Sequence, residues 1–191
     1  MSSQISVTID QGMMNRLTRT LRGVPGGLKR VIPPAINKTA TQGRTRAARR
    51  ISKASGIKVG DVRKRIAIRR ATRVRWAAAL HLSKKRLPLI LFSARQTVSR
   101  GVTYRLGGAK RSRVPHGFIA IMPSGHRGVF MRAWQGDKRV GRLPIQEQMA
   151  LSVAGVYSKG QQVAAGVMRE TRVLLRQNIE RRVRFVLMRA G

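Results

Sequence analysis

Six carboxylates are all that this chain offers to acid–base or metal chemistry: Asp10, Asp61, Asp137, Glu147, Glu170 and Glu180. They stand apart in sequence, and none lies in an H-E-x-x-H, G-x-S-x-G or paired-carboxylate setting. Metal-assisted hydrolysis needs clustered carboxylates, so an enzyme is expected only if folding gathers distant ones. Asp10 and Asp61 instead stand where helix N-caps belong, and Glu170 and Glu180 read as helix-surface charges among arginines. His81, His116 and His126 offer no i, i+2 or i, i+4 pair, so no metal site is expected, and His126 reads as an exposed or interface histidine in a turn. Cysteine is absent, which excludes disulfides, thiolate metal sites and cysteine nucleophiles. Gly107 with Gly108, and Gly125 with Gly128, lack the lysine and the following helix of a phosphate loop; they read as turn glycines that need positive φ. No cofactor is expected.

Binding is better supplied than catalysis. Lys and Arg number 41 against six acids, a net charge of +35, spread from Arg16 to Arg189 rather than gathered in a tail. Area–mass scaling gives a compact globule of this mass roughly 9,000 Å² of surface, which places neighbouring excess charges about 16 Å apart against a screening length of about 8 Å. Self-repulsion on that scale, on the order of 30 kcal/mol, favours a setting in which nucleic acid or acidic protein supplies the missing negative charge. The densest run holds Arg63, Lys64, Arg65, Arg69, Arg70, Arg73 and Arg75. On a strand, alternate positions would aim several of these guanidiniums at one face, where they grip phosphate in a bidentate way. A solvated face, or a contact to acidic protein, explains the same run equally well. Trp, Tyr and Phe make up only 4% of the chain, so stacking on bases is poorly supplied and a nucleic-acid contact is expected to be to backbone, indifferent to sequence and salt-dependent.

The elements that must position these charges read as helices, then strands, then helices. Ile5, Val7 and Ile9 alternate as a short strand, and Asp10 precedes a helix carrying Met13, Met14, Leu17 and Leu21. After Gly23 to Gly27, apolar residues from Leu28 to Ile51 recur at three and four, with Pro33 and Pro34 in the first turns and Gly56 as the stop. Asp61 is placed to cap a brief helix. From Ile66 to Leu82 the period changes to two, broken near Ala71. Leu87 to Phe92 reads as a buried connector, Val102 to Leu106 as a strand, and Phe118 to Met122 with Val129 to Met131 as a hairpin. Met149 to Val156 reads as helical. The stretch from Gly160 to Met188 carries an apolar stripe that includes Leu174, Leu175, Ile179, Val183 and Val186, expected to contact another subunit. The whole reads as one α+β domain: residues 1–56, a mainly β block at 57–145, and helices at 146–191. An 18-residue uncharged apolar run is absent from the sequence, so a soluble protein made in a cytoplasm is expected.

Five blocks in order carry a family resemblance: Lys38 to Arg50, Gly56 to Ile66, Phe92 to Thr97 with Gly101 to Arg105, Gly117 to Arg132, and Arg142 to Glu147. Together they resemble the minor tail protein Z family, the tail completion proteins of lambda-like and related long-tailed phages, over about residues 28–180. The resemblance implies a structural protein of the virion at the head-proximal end of the tail, beside the tail terminator, tail tube and head connector. It also implies a part in joining the tail to a DNA-filled head and in placing the end of the packaged double-stranded DNA. A homo-oligomeric ring, sixfold to match tail symmetry, would superpose the fields of its subunits on a channel. A sequence-independent nucleic-acid-packaging or ribosome-associated protein accounts for the charge but not for the ordered blocks.

Overall fold

The structure, a computed structural model, describes residues 4–107, 109–135, 138–139 and 141–189. Asp137 and Gly108 lie outside the described residues. Strand β1 (Gln4–Val7) buries Ile5 and Val7 and exposes the residues between. Asp10 then caps helix α1 (Gln11–Thr20), its carboxylate accepting the Met13 N–H at 2.7 Å. The turn through Gly26 leads into α2 (Gly27–Ser55), which buries Val31, Ile32, Ala35, Ile36, Ala40, Ala47, Ala48 and Ile51 at helical spacing. Gly56 stops it in the left-handed region, φ 76°, with its N–H on the Ser52 carbonyl at 2.7 Å. A short α3 (Val59–Lys64) follows as expected, but its N-cap is Lys58 and Asp61 makes no capping hydrogen bond. Asp61 lies inside the first turn, where its charge acts on the helix dipole instead.

Strands β2 (Ile66–Arg69) and β3 (Ala78–Leu82) complete an antiparallel sheet in the order β1-β3-β2, with Leu80 of the central strand opposite both Ile5 and Ile68. The chain then builds a block of small antiparallel sheets. Strand β4 (Arg86–Pro88) runs into a single 3-10 turn, Leu89–Leu91, and the buried ring of Phe92. Strands β5 (Arg95–Thr97), β6 (Gly101–Tyr104) and β7 (Ser112–Val114) form a meander. The expected hairpin is present as β8 (Phe118–Ile121) and β9 (Arg127–Arg132), with Phe118 opposite Phe130. A two-rung ladder of β10 (Trp134–Gln135) and β11 (Lys138–Arg139) precedes β12 (Ile145–Glu147), which returns along β9.

Two local expectations fail for reasons that lie outside their own segments. Residues Met149–Ser152, expected to be helical, form β13 because β4 offers them a strand edge; α4 (Val153–Lys159) begins only where Ser152 caps it, accepting the Gly155 N–H at 3.0 Å. Gly107 and Gly125 have the positive φ of turn glycines, but Gly128 lies within β9. A Cβ there would stand 2.8 Å from Glu147 Oε1 and 2.9 Å from the Phe130 ring, so Gly128 is needed for close approach.

Helix α5 (Gln161–Met188) runs antiparallel to α2, tied at buried Asn178, whose amide donates to Thr39 Oγ1 at 3.0 Å and Gln42 Oε1 at 2.7 Å. At Gly43 the sheet and α5 meet α2 at one point: a Cβ there would lie in ordinary contact with Leu80 and Thr171, both at 3.6 Å. The main core thus draws on residues from Ile5 to Val186, with the sheet β1-β3-β2 and α5 both packed on α2 and α5 also meeting β1. Of the stripe expected to meet another subunit, Leu175, Ile179 and Val186 are buried within the chain's own core, while Leu174 and Val183 remain half-buried. The β block has a separate and much smaller core of Leu89, Val102 and Val129. Total exposed surface is 12,542 Å², more than a third above that of a compact globule of equal mass, roughly 9,000 Å².

Candidate functional site

The connection between β2 and β3 carries Arg70, Arg73 and Arg75, the end of the densest basic run, and hydrogen bonds tie down its backbone. Asn37 of α2 treats Ala71 as a strand neighbour would: its Nδ2 donates to the Ala71 carbonyl at 3.0 Å and its Oδ1 accepts the Ala71 N–H at 2.8 Å. Beyond that clamp the chain turns, with the Thr72 N–H on the Arg75 carbonyl at 2.8 Å and the Arg75 N–H on Thr72 Oγ1 at 3.0 Å. Trp76 Nε1 donates to the Arg73 carbonyl at 2.9 Å, and Arg75 Nη2 to the Arg70 carbonyl at 2.9 Å. The loop's own side chains therefore satisfy its backbone and fix where Arg73 stands.

Arg73 closes one side of a cleft of about 730 Å³ whose other cations are Lys29, Arg30 and Arg182. Its floor is Pro33, Pro34 and Ala71. The proline pair explains why Arg182 is there. Each proline removes an N–H from α2 and leaves the carbonyl four residues earlier without its helical donor. Arg182 Nε reaches across from α5 to one of these, the Arg30 carbonyl, at 3.1 Å. Across Pro34 and Arg182 a second hollow of about 260 Å³ adds Lys38, Arg181 and the ring of Phe185. Arg182 and Arg189 both hold their guanidinium carbons 4.7 Å from that ring's centre. The N-terminal turns of α2, which no side chain caps, add the positive end of a helix dipole.

Among the described residues no carboxylate lines either hollow. The three glutamates are engaged elsewhere. Glu170 accepts Arg50 Nε at 2.9 Å and Nη2 at 2.5 Å; Glu180 pairs with Arg176 at 3.3 Å; Glu147 pairs with His126 at 2.8 Å. Among the described residues no group of three or more His, Asp and Glu is placed to hold a metal. What the arrangement can do is present fixed, permanently charged donors to phosphate or carboxylate oxygens.

The seven basic residues singled out from sequence do not share one strand face. Only Arg69 lies in a strand. Arg63 and Lys64 sit on α3 and Arg65 at its C-cap, whereas Arg70, Arg73 and Arg75 lie past the other end of β2, about 16 Å away by strand rise. Arg73 alone of the seven lines the cleft. Lys29, Arg30, Lys38, Arg181 and Arg182 were not singled out, because their convergence depends on α2 and α5 pairing antiparallel. The local hint was Pro33-Pro34, two freed carbonyls in a helix that must find a donor.

The family described as prophage minor tail protein Z matches residues 18–189, from α1 through both long helices and the β block between them. The chain belongs to that family. No curated protein and no solved structure matches it significantly. As a minor tail protein Z it is a structural component of a phage tail and so of the virion, in a family that is not an enzyme class. No helix among the described residues is long and apolar enough to cross a membrane.

Proposed function

We propose that this tail protein acts at the head-proximal end of the tail, where it completes the tail for joining to the head and holds packaged DNA by its backbone. The observation that carries the DNA contact is the cleft of Lys29, Arg30, Arg73 and Arg182, which no carboxylate among the described residues lines. Such a surface meets phosphates of any sequence, which is what a tail channel requires. The partners in this reading are the tail terminator, the tail tube and the head connector, and the protein stands among them as a ring of six copies. Support comes from the surface excess, on the order of 3,000 Å² over a compact globule. That exceeds the roughly 800 Å² per side of one standard contact and suffices for the two neighbours of each ring subunit.

The test is a titration of the full chain into fluorescent duplexes of about 30 base pairs over a range of salt. Lys29→Ala with Arg73→Ala, both exposed positions, lowers affinity equally for unrelated sequences. It also flattens the slope of log K against log salt by about 2, the signature of two lost phosphate contacts. An unchanged slope would remove the cleft from the DNA contact. Particles assembled with the same variant then show whether the DNA end is still held.

A further inference from the structure

A second concave surface differs from the basic cleft in kind. Between α1 and α5 runs a groove in which half-buried Met13 and Val183 lie over buried Leu17 and Ile179, and whose rim carries Arg16, Thr20, Arg176, Glu180 and Arg184, with Glu180 paired to Arg176 at 3.3 Å. It continues past Met13 and Arg16 into a hollow of about 430 Å³ bordered by Arg172. From Arg172 to Arg184 along α5 the length is about 18 Å, three turns of helix. An apolar trough about three turns long, bordered by Arg16, Arg172, Arg176 and Arg184 against Glu180 and Asp10, carries a net positive rim and matches an amphipathic helix whose flanks are acidic.

We infer that this groove is the docking site for an acidic amphipathic segment of another protein. Charge complementarity selects that occupant. A second copy of this chain cannot provide it, because its six acids are isolated in sequence and its helices would bring arginine against arginine. Nucleic acid fits poorly too, because a phosphate backbone has no apolar face to lay on Met13 and Val183. The inference does not depend on the DNA contact, since the groove shares no lining residue with the basic cleft.

The probe is a labelled helical peptide of about 18 residues with Leu at i, i+3, i+4 and i+7 and Glu on the remaining face. Its control has the same composition and charge with the leucines shuffled off helical spacing, which isolates the groove from general attraction to a polycation. The full chain is expected to bind the amphipathic peptide at least about tenfold more tightly than the control. Thr20→Trp, at an exposed position lining the groove, is expected to abolish that difference while leaving duplex affinity unchanged. Arg16→Glu with Arg184→Glu, both exposed, has no packing to lose and must weaken the amphipathic peptide more than the control. Equal binding of the two peptides, or a preference that survives both variants, overturns the inference. So does self-association of the unliganded chain that Thr20→Trp abolishes, for then the occupant is a second copy.

Discussion

The two halves of this molecule solve the same problem with different amounts of material. Around α2, a three-stranded sheet and α5 enclose a core that draws on residues from Ile5 to Val186. The strands from β5 to β9 surround a small cluster of Leu89, Val102 and Val129 with half-buried residues packed on it, and they leave Val98 and Ile121 fully or largely exposed near their turns. The helical half therefore has stability to hold charge apart in fixed positions, and the β block has surface without much core. In a tail protein that division suits a rigid carrier of cations joined to a part whose strand edges and apolar tips become covered on assembly.

Core truncations test the division most strongly. Leu80 is fully buried on the central strand, against α2 at Gly43. Leu80→Ala is expected to cost about 3–4 kcal/mol and to lower the melting temperature of the whole chain. For a comparison at equal side-chain size, Val31 and Val102 are both fully buried, one in each core. Val31→Ala should lower the global melting transition, whereas Val102→Ala should chiefly speed amide exchange in β5 to β9 and barely move that transition. Equal global shifts would mean that the block is as tightly coupled to the core as the helices are.

Next in size is the polar tie between the long helices. Asn178 is buried and donates twice, to Thr39 and to Gln42. Asn178→Ala leaves Gln42 Oε1 without this donor and opens a small void, for an expected loss of about 2 kcal/mol by chemical denaturation. Asn178→Leu fills the space but not the hydrogen bonds. If it restores full stability, the tie serves register rather than strength.

What could be read from sequence was what the chain settles over a few residues. Asp10 caps, Gly56 stops, the α5 stripe has its period, and the turn between β8 and β9 has its glycine, each from local sterics or hydrogen bonding. Met149–Ser152 was not legible because a short apolar run becomes a strand or a helix according to its partner, and the partner β4 is some sixty residues earlier. The cleft was hidden for the same reason. Lys29, Arg73 and Arg182 are each unremarkable in their own segments, and only the antiparallel contact of α2 with α5, together with the clamp by Asn37, brings them together. The family blocks were legible because they are patterns of sequence and need no tertiary partner.

The smallest expected effect lies within the helical half and turns on the ion pair of Arg50 and Glu170 between α2 and α5. Gly166, inside α5, is the kind of residue whose replacement by Ala ordinarily stabilises a helix by about 1 kcal/mol. Here a Cβ would stand 2.6 Å from Arg50 Cζ, because the guanidinium lies over Gly166 to reach Glu170 one turn on. Gly166→Ala must displace that side chain, and the pair it breaks is half-exposed and worth only about 0.2–1 kcal/mol. The two effects nearly cancel, so the single variant should melt close to the parent. In an Arg50→Ala background the obstruction is gone and the same substitution should stabilise by the full helical increment. If Gly166→Ala gains equally in both backgrounds, Arg50 swings aside at no cost, and the ion pair adds nothing to the rigidity that separates this half from the β block.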